Sequence, residues 1–466
     1  MEGIVSLVPS LTAIIIAIIT KQVLPALIIG LIAGSYLVKP TILGGILQTT
    51  DYLIKSATVE ENIEIVFFLY IFSGLIGMIK VTGGVKGVEN LISKRIKSKK
   101  GVLLTTWGLS LFTFIDCGFH IMALGAIMKP IAKKINLAKE RLAYVIDTAT
   151  VPLIVLAPLG TTYVGYMVTL VRTSLAENNI NQDPYSLFIK SIPYNFYAIV
   201  AILISLGVVI TGKYFSIKKD TTKVKDKETK QHHHSKFKED VEPKIWNIVF
   251  PILTLFILTL YFLWWSGSQE TNSFLTALLK AKTARMMLVA LLATLVITAL
   301  FYIFQKFKIG ELINGFLEGG NEIIVAMVLL FLVWGLAEVS NDLGFSQFIT
   351  NTLGTFLPGY LVPSILFLLG SIVSYFIGTS WGAWGLLMPM GISLAIATNS
   401  NLALSVGAVF AGGTFGDHIS PLSETTVITA TIMKMPVVKH ANNQLLYGIT
   451  GVVISSILYL IAGILL

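Results

Sequence analysis

The 466-residue chain is 55% hydrophobic and only 13% charged, with a mean hydropathy of +0.80. Such values exclude an ordinary soluble or disordered chain and describe a polytopic membrane protein. The net charge of +9 is therefore read through topology, not as a nucleic-acid footprint, and the one cysteine, Cys117, excludes an intrachain disulfide and a cysteine-built metal centre.

Apolar runs of about 17 to 25 residues recur along the chain, each long enough for a hydrocarbon core about 30 Å thick. The start, Met1-Glu-Gly-Ile-Val5, lacks a basic segment, so the first run is expected to stay as a span. Residues 4–20 and 22–38, parted by Lys21, predict a helical hairpin; 41–57 predicts an amphipathic interfacial helix and 61–83 a span. In 101–132, Lys99 and Lys100 precede the apolar sequence and Lys133 and Lys134 follow it, so both ends belong on one side. With Asp116-Cys-Gly-Phe-His120 at its middle, the segment predicts a re-entrant hairpin, the alternative being two short spans joined by a polar turn.

Residues 139–175 are interrupted by Asp147-Thr-Ala-Thr-Val-Pro152 and Pro158-Leu-Gly160, which predicts a discontinuous helix, because proline removes a backbone donor. A polar exterior loop, 177–186, and a span, 193–213, follow. The stretch 213–244 holds ten lysines and His232-His-His234, and reads as a disordered cytoplasmic linker; a lone solvated histidine run is weak evidence for a metal. The expected division is a transmembrane repeat at 1–213, a basic linker at 214–244 and a second transmembrane repeat at 245–466.

The second half follows the same plan. Spans at 245–265 and 282–305 precede an amphipathic stretch at 308–320, a span at 322–343, a hairpin at 360–397 around Gly378-Thr-Ser-Trp-Gly382, a broken helix at 402–435 and a last span at 443–466. Phe114-Ile-Asp-Cys-Gly118 sits where Phe376-Ile-Gly-Thr-Ser380 sits, and Val151-Pro-Leu153 corresponds to Ser420-Pro-Leu422. Such weak duplication is the mark of transporter repeats. The expected fold is all-α and polytopic: two inverted repeats, each of about five transmembrane helices plus a re-entrant hairpin, with discontinuous helices at the midplane. A cytoplasmic linker then puts both termini outside, and places 27 of the 34 Lys and Arg inside and seven outside, as the positive-inside rule asks.

Polar residues inside apolar sequence mark the candidate site, since they must face a protein-enclosed or watery space. The stretch Gly412–Thr426 holds Asp417, His418, Glu424 and five hydroxyl side chains. Asp417 and Glu424 are the expected carboxylates, with Ser420, Ser423, Thr425 and Thr426 as neutral oxygen donors of the kind a small cation prefers. Asp147, with Thr148 and Thr150, is the first-half counterpart. Sodium is expected on Asp417, Glu424 and Asp147. Asp116 at one hairpin tip and Thr379 with Ser380 at the other complete the set, and His120 and His418 are candidates for proton coupling. Glu338 either faces the cavity or reaches the surface with Asp342, and Trp381 and Trp384 either wall a pocket or pack. The chain has no G-x-x-x-x-G-K-[ST] motif, so an ion gradient is the expected energy source.

Gly378-Thr-Ser-Trp-Gly, Met388-Pro-Met and Gly416-Asp-His-Ile-Ser-Pro-Leu-Ser-Glu-Thr-Thr426 resemble the signatures of NhaC-type Na+/H+ antiporters of the ion transporter superfamily, and Arg141-Leu-Ala-Tyr-Val-Ile-Asp147 with Ala157-Pro158 resembles their N-terminal repeat. The resemblance implies inverted repeats, re-entrant hairpins, sodium or proton coupling and a homodimer. It implies a multi-pass protein of the cell membrane that is not an enzyme, has no cofactor and no nucleic-acid partner, and carries Na+ and H+ as transported or coupling ions. Na+/H+ antiport by alternating access is the first expectation. Family members also exchange small organic acids such as malate and lactate, or carry amino acids. Some have two adjacent acids where this chain has Asp116-Cys117, which leaves room here for an organic substrate.

Overall fold

In a bilayer each backbone N–H and C=O must be satisfied within its own segment, and the described residues form helices and turns with no strand. The computed structural model describes residues 4–20, 22–84, 98–113, 117–158, 161–214, 244–269, 283–348 and 357–466. Asp116 and His232-His-His234 lie outside the described residues, as does the linker apart from its two ends.

The first half runs through α1 (Val8–Thr20), α2 (Val23–Val38), α3 (Ile42–Ala57) and α4 (Glu60–Val81), then α5 (Lys99–Thr113) and α6 (Cys117–Lys134). There follow α7 (Lys139–Thr148), the short α8 (Val151–Ile154), α9 (Thr162–Glu177), α10 (Pro184–Ser191) and α11 (Phe196–Thr211). The second half comprises α12 (Trp246–Gly267), α13 (Thr283–Phe304), α14 (Ile309–Glu322), α15 (Ile324–Asp342) and α16 (Phe345–Phe348). It closes with α17 (Val362–Ile377), α18 (Ser380–Ala397), α19 (Leu402–Ile419), α20 (Glu424–Ile432) and α21 (Val437–Leu465). Among the described residues eight helical segments are long and apolar enough to cross a membrane, and up to ten if the bent pairs α2–α3 and α10–α11 each count as one span. This is a multi-pass membrane protein. Leu253 and Ile257 on α12, and Val453 and Ile457 on α21, are exposed along the outer surface, as suits contact with lipid.

Local chemistry explains the breaks. The 120° bend between α2 and α3 falls at Pro40, and Thr41 caps α3 by accepting from Gly44 N–H. The α3 helix carries an apolar, outward-facing Ile42, Leu43, Ile46 and Leu47, in keeping with the amphipathic helix expected there. The α5/α6 arms hold 15 and 18 residues and the α17/α18 arms 16 and 18. At 1.5 Å per residue each arm is roughly 22–27 Å long, and the α17 and α18 arms are both among the eight segments long and apolar enough to cross. Residue Gly378 ends α17 with φ +71°, and a Cβ there would also sit 2.6 Å from the Leu422 carbonyl carbon. Only glycine combines that left-handed turn with docking of the second tip against the break between α19 and α20.

The halves are interlocked. Ser73 on α4 donates to the Gly319 carbonyl of α14 at 2.7 Å, and Lys80 meets Glu322 at 2.7 Å. Tyr166 on α9 donates to the Trp381 carbonyl of α18 at 2.7 Å. The tightest seam joins α17 to α19. There Ser374 Oγ donates to Gly412 O at 2.8 Å and accepts from Gly416 N–H at 3.0 Å, and a Cβ on Gly416 would fall 2.1 Å from the Ser374 carbonyl carbon. Small residues let two backbones approach this closely in a membrane.

Candidate functional site

The α19 helix stops because Pro421 has no N–H to continue the ladder, and Ser420 takes an extended conformation as its C-cap. Its hydroxyl donates to Tyr375 O at 2.7 Å and accepts from Leu422 N–H at 3.1 Å, tying the break to α17. Ser423 then caps α20, accepting from Thr425 N–H. This geometry brings the N-termini of α18 and α20 to one buried carboxylate, Asp417. Its Oδ2 accepts from the Ser380 hydroxyl at 2.6 Å and the Ser380 N–H at 3.2 Å, and its Oδ1 accepts from the Ser423 hydroxyl at 2.7 Å. Thr425 Oγ1 reaches Asp417 O at 3.1 Å and lies 3.0 Å from Ser423 Oγ. Helix N-terminal amides and hydroxyl donors both favour the negative charge.

A second buried carboxylate lies where α7 ends. Asp147 Oδ2 accepts from His440 Nε2–H at 2.9 Å and from Gln444 Nε2–H at 2.9 Å, both on α21. Asp147 and His440 have no solvent exposure. Asp147 Oδ1 and His440 Nδ1 are buried without a hydrogen-bond partner, as is Gln444 Oε1. The Gln444 amide joins the two centres, donating also to His418 O at 2.7 Å and lying 3.4 Å from Thr426 Oγ1. His418 is held at both ring nitrogens, by Thr148 Oγ1 at 3.0 Å and the Tyr197 hydroxyl at 2.9 Å. With the Thr148 proton donated to Tyr144 O at 2.8 Å, His418 carries its own proton on Nε2 and accepts from Tyr197 on Nδ1.

The hairpin tips are linked by Tyr163 of α9. Its hydroxyl lies 3.2 Å from Cys117 Sγ, and its ring packs on Trp381 at 4.6 Å and edge-on to Trp384 at 5.7 Å. His120 Nδ1 lies 3.0 Å from Thr113 Oγ1, joining α5 to α6, while its Nε2 is buried without a partner. Trp384 is fully buried and donates to Phe410 O, a packing role.

The expected residues thus separate into groups. Ser380, Asp417, Ser423 and Thr425 form one network, and Asp147 and His418 reach each other through Gln444. Thr150 caps α8 and returns its hydroxyl to Ile146 O at 2.7 Å. Thr379 is the half-buried N-cap of α18. Glu424 stands exposed in the first turn of α20. Glu338 pairs with Lys55 at 2.5 Å, and Asp342 accepts from Tyr52 at 2.6 Å. Among the described residues no three His, Cys, Asp or Glu side chains gather as a metal-binding group. His440, Gln444, Tyr163 and Tyr197 were not legible as site residues. The spacing of His440 and Gln444, one helical turn apart just before an apolar run, was the available signal, but the last span was expected to begin only at residue 443.

The comparisons agree with this architecture. An uncharacterized protein of Haemophilus influenzae is 28% identical over 98% of this chain and 90% of its own length. The malate-2H+/Na+-lactate antiporter of Bacillus subtilis is 31% identical over 24% of this chain and 27% of its own. Other partial relatives are NhaC-type antiporters, as the signature motifs implied. The solved structure of Neisseria gonorrhoeae MtrF, described among antimetabolite efflux pumps, shares the fold at a TM-score of 0.62 and 15% identity, over 90% of this chain and 84% of that one. The model of the Na+/H+ antiporter family matches residues 153–464, which is most of the chain and includes Asp417 with its partners, and His440 and Gln444, but not Asp147. The chain belongs to the Na+/H+ antiporter family.

Proposed function

We propose that the chain exchanges Na+ for H+ by alternating access. The observation that carries this reading is the pair of buried carboxylates, Asp417 and Asp147, one at each helix break, with the Gln444 amide on Asp147 Oδ2 and on the carbonyl of His418, the residue next to Asp417. A sodium ion at Asp417 would take the carboxylate and the hydroxyl oxygens of Ser380, Ser423 and Thr425, a hard-oxygen set of the kind small cations prefer. Asp147 Oδ1, without a protein donor, is a second acceptor for a cation or proton. Protonation removes the charge that holds sodium, so the two ions compete. In this reading the linker is cytoplasmic and the two halves are inverted repeats that rock about the breaks.

The test is antiport by purified protein in proteoliposomes with imposed sodium and proton gradients. Asp417→Asn and Asp147→Asn should each abolish exchange while leaving a folded, monodisperse protein. Wild-type exchange in both variants would overturn the reading. The second reading, coupled exchange of a small organic acid or amino acid, draws on the aromatic wall of Tyr163 and Trp381 at the tips and on the malate–lactate relative. Exchange that requires an organic solute inside the same vesicles, and does not run on sodium and protons alone, would favour it.

A further inference from the structure

Both oxygens of Asp417 are turned toward hydroxyl hydrogens: Ser380 Oγ donates to Oδ2 at 2.6 Å and Ser423 Oγ donates to Oδ1 at 2.7 Å. A hydroxyl in this orientation points its hydrogen, not a lone pair, at the place where a cation held by the carboxylate would sit. To ligate that cation, each serine must turn its hydrogen to another acceptor, because a buried hydroxyl donor left unmade is costly. Ser423 has one close by. Thr425 Oγ1 lies 3.0 Å from Ser423 Oγ and places its own hydrogen on Asp417 O at 3.1 Å.

For Ser380 the second acceptor comes from the first half of the chain. Tyr163, 3% exposed, stands at the start of α9, and its ring packs at 4.6 Å on Trp381, the residue after Ser380. One turn along α9, Tyr166 donates to the Trp381 carbonyl at 2.7 Å. Together these contacts hold the Tyr163 phenol beside the first turn of α18, with its hydroxyl within reach of the Ser380 side chain and of the Asp417 charge. The same hydroxyl meets Cys117 Sγ, on the first residue of α6, at 3.2 Å. A thiol and a phenol can each donate or accept, so a Tyr163 hydrogen turned to Cys117 leaves the phenol oxygen open to a hydrogen from Ser380. Asp417, Ser380, Tyr163 and Cys117 thus form a series that runs from the break after α19 to the tip of the first hairpin.

Building on the Na+/H+ exchange proposed above, we propose that Tyr163 is the positioning residue that converts Ser380 from a hydrogen-bond donor of Asp417 into a sodium ligand. When sodium arrives, the Ser380 hydrogen turns from Asp417 Oδ2 to the Tyr163 oxygen, and Ser380 Oγ faces the ion beside the carboxylate. When sodium leaves, the hydrogen swings back. Only O–H bonds rotate; no proton changes its heavy atom, and Tyr163 itself does not touch the ion. Because the Tyr163 hydrogen rests on Cys117, the tip of the first hairpin is tied to what the carboxylate of the second half holds.

The test measures exchange in proteoliposomes against sodium concentration at a series of pH values. Tyr163→Phe removes only the oxygen, so the sodium concentration for half-maximal exchange should rise about three- to ten-fold at alkaline pH, where Asp417 is ionised. The maximal rate, and the pH below which half-saturation begins to climb, should stay at their wild-type values, because Ser380 still donates to the carboxylate. Loosened packing would move both. Adding Tyr163→Phe to Ser380→Ala should change nothing further, since the phenol acts only through that hydroxyl. Should Tyr163→Phe not fold, Cys117→Ala tests the far end of the series: it should raise half-saturation about two-fold, and Cys117→Ser should restore it. An unchanged half-saturation in Tyr163→Phe, a fall in maximal rate alone, or full additivity with Ser380→Ala would each overturn this role while leaving the antiport reading intact. A wild type that does not exchange sodium for protons would overturn both.

Discussion

His440 Nε2 and Asp147 Oδ2 lie 2.9 Å apart with no solvent exposure on either side chain, and 293 residues of sequence separate them. The contact ties the end of α7 in the first half to the start of α21 in the second. It also leaves one carboxylate oxygen and one imidazole nitrogen without protein partners, at a point where two halves that move against each other would meet.

Removing this contact takes a donor from a buried carboxylate. His440→Ala is therefore expected to destabilise the protein by about 1.5–3 kcal/mol, the range for hydrogen bonds to charged groups. His440→Gln, which can still donate, should recover part of the loss. Unfolding midpoints in detergent measure both, and equal midpoints for His440→Ala and wild type would show that the contact contributes nothing.

Ser380 donates twice to Asp417 Oδ2, and donors of this kind favour the ionised carboxylate. Ser380→Ala removes the hydroxyl and leaves the N–H, so a proton competes better for Asp417. Under the proposed antiport, exchange should fall as pH drops and the carboxylate protonates, so in this variant the fall should begin at a higher pH, displaced by about one pH unit. Ser423→Ala should act in the same direction through Oδ1. Rates of exchange against pH in proteoliposomes give the profile; an unmoved or acid-shifted profile would refute the assignment.

Backbone contact at the α17/α19 seam makes Gly416 intolerant. A methyl group there meets the Ser374 carbonyl carbon at 2.1 Å, which is backbone and cannot turn aside, so Gly416→Ala should cost about 1–3 kcal/mol or more. Gly310 on α14 meets nothing within 4 Å, and Gly310→Ala is expected to be neutral or to stabilise by about 0.5–1 kcal/mol. Comparing the yield and thermal midpoint of the two variants tests whether the seam, rather than glycine content in general, sets the difference.

The excess of lysine in the linker predicts that it faces the cytoplasm. With Cys117→Ser, which keeps a hydroxyl toward Tyr163, a new cysteine at Lys225 should react with an impermeant maleimide only in inverted vesicles. Labelling from the outside of intact cells would reverse the orientation.

Much of this architecture is written in local sequence. Hydropathy marks the spans because a helix crossing lipid needs a long apolar run, and Pro152 and Pro421 mark the breaks because each removes a backbone N–H beside polar residues, whereas Pro130, Pro251 and Pro389 are carried inside helices. Asp147 and Asp417 were legible for the same reason: a carboxylate in apolar sequence has to be enclosed. Local sequence says that such a residue is enclosed but not by what. Asp417 and Glu424 stand seven positions apart in one polar stretch and read alike, yet the extended turn through Ser420–Ser423 leaves Asp417 buried among hydroxyls and Glu424 exposed. Likewise, nothing near Asp147 names His440 or Gln444 as its partners. The Asp147 contacts span 293 and 297 residues of sequence and those of Asp417 reach Ser380, 37 residues away; both are set by how α7, α18, α19 and α21 pack, and only the tertiary structure decides them.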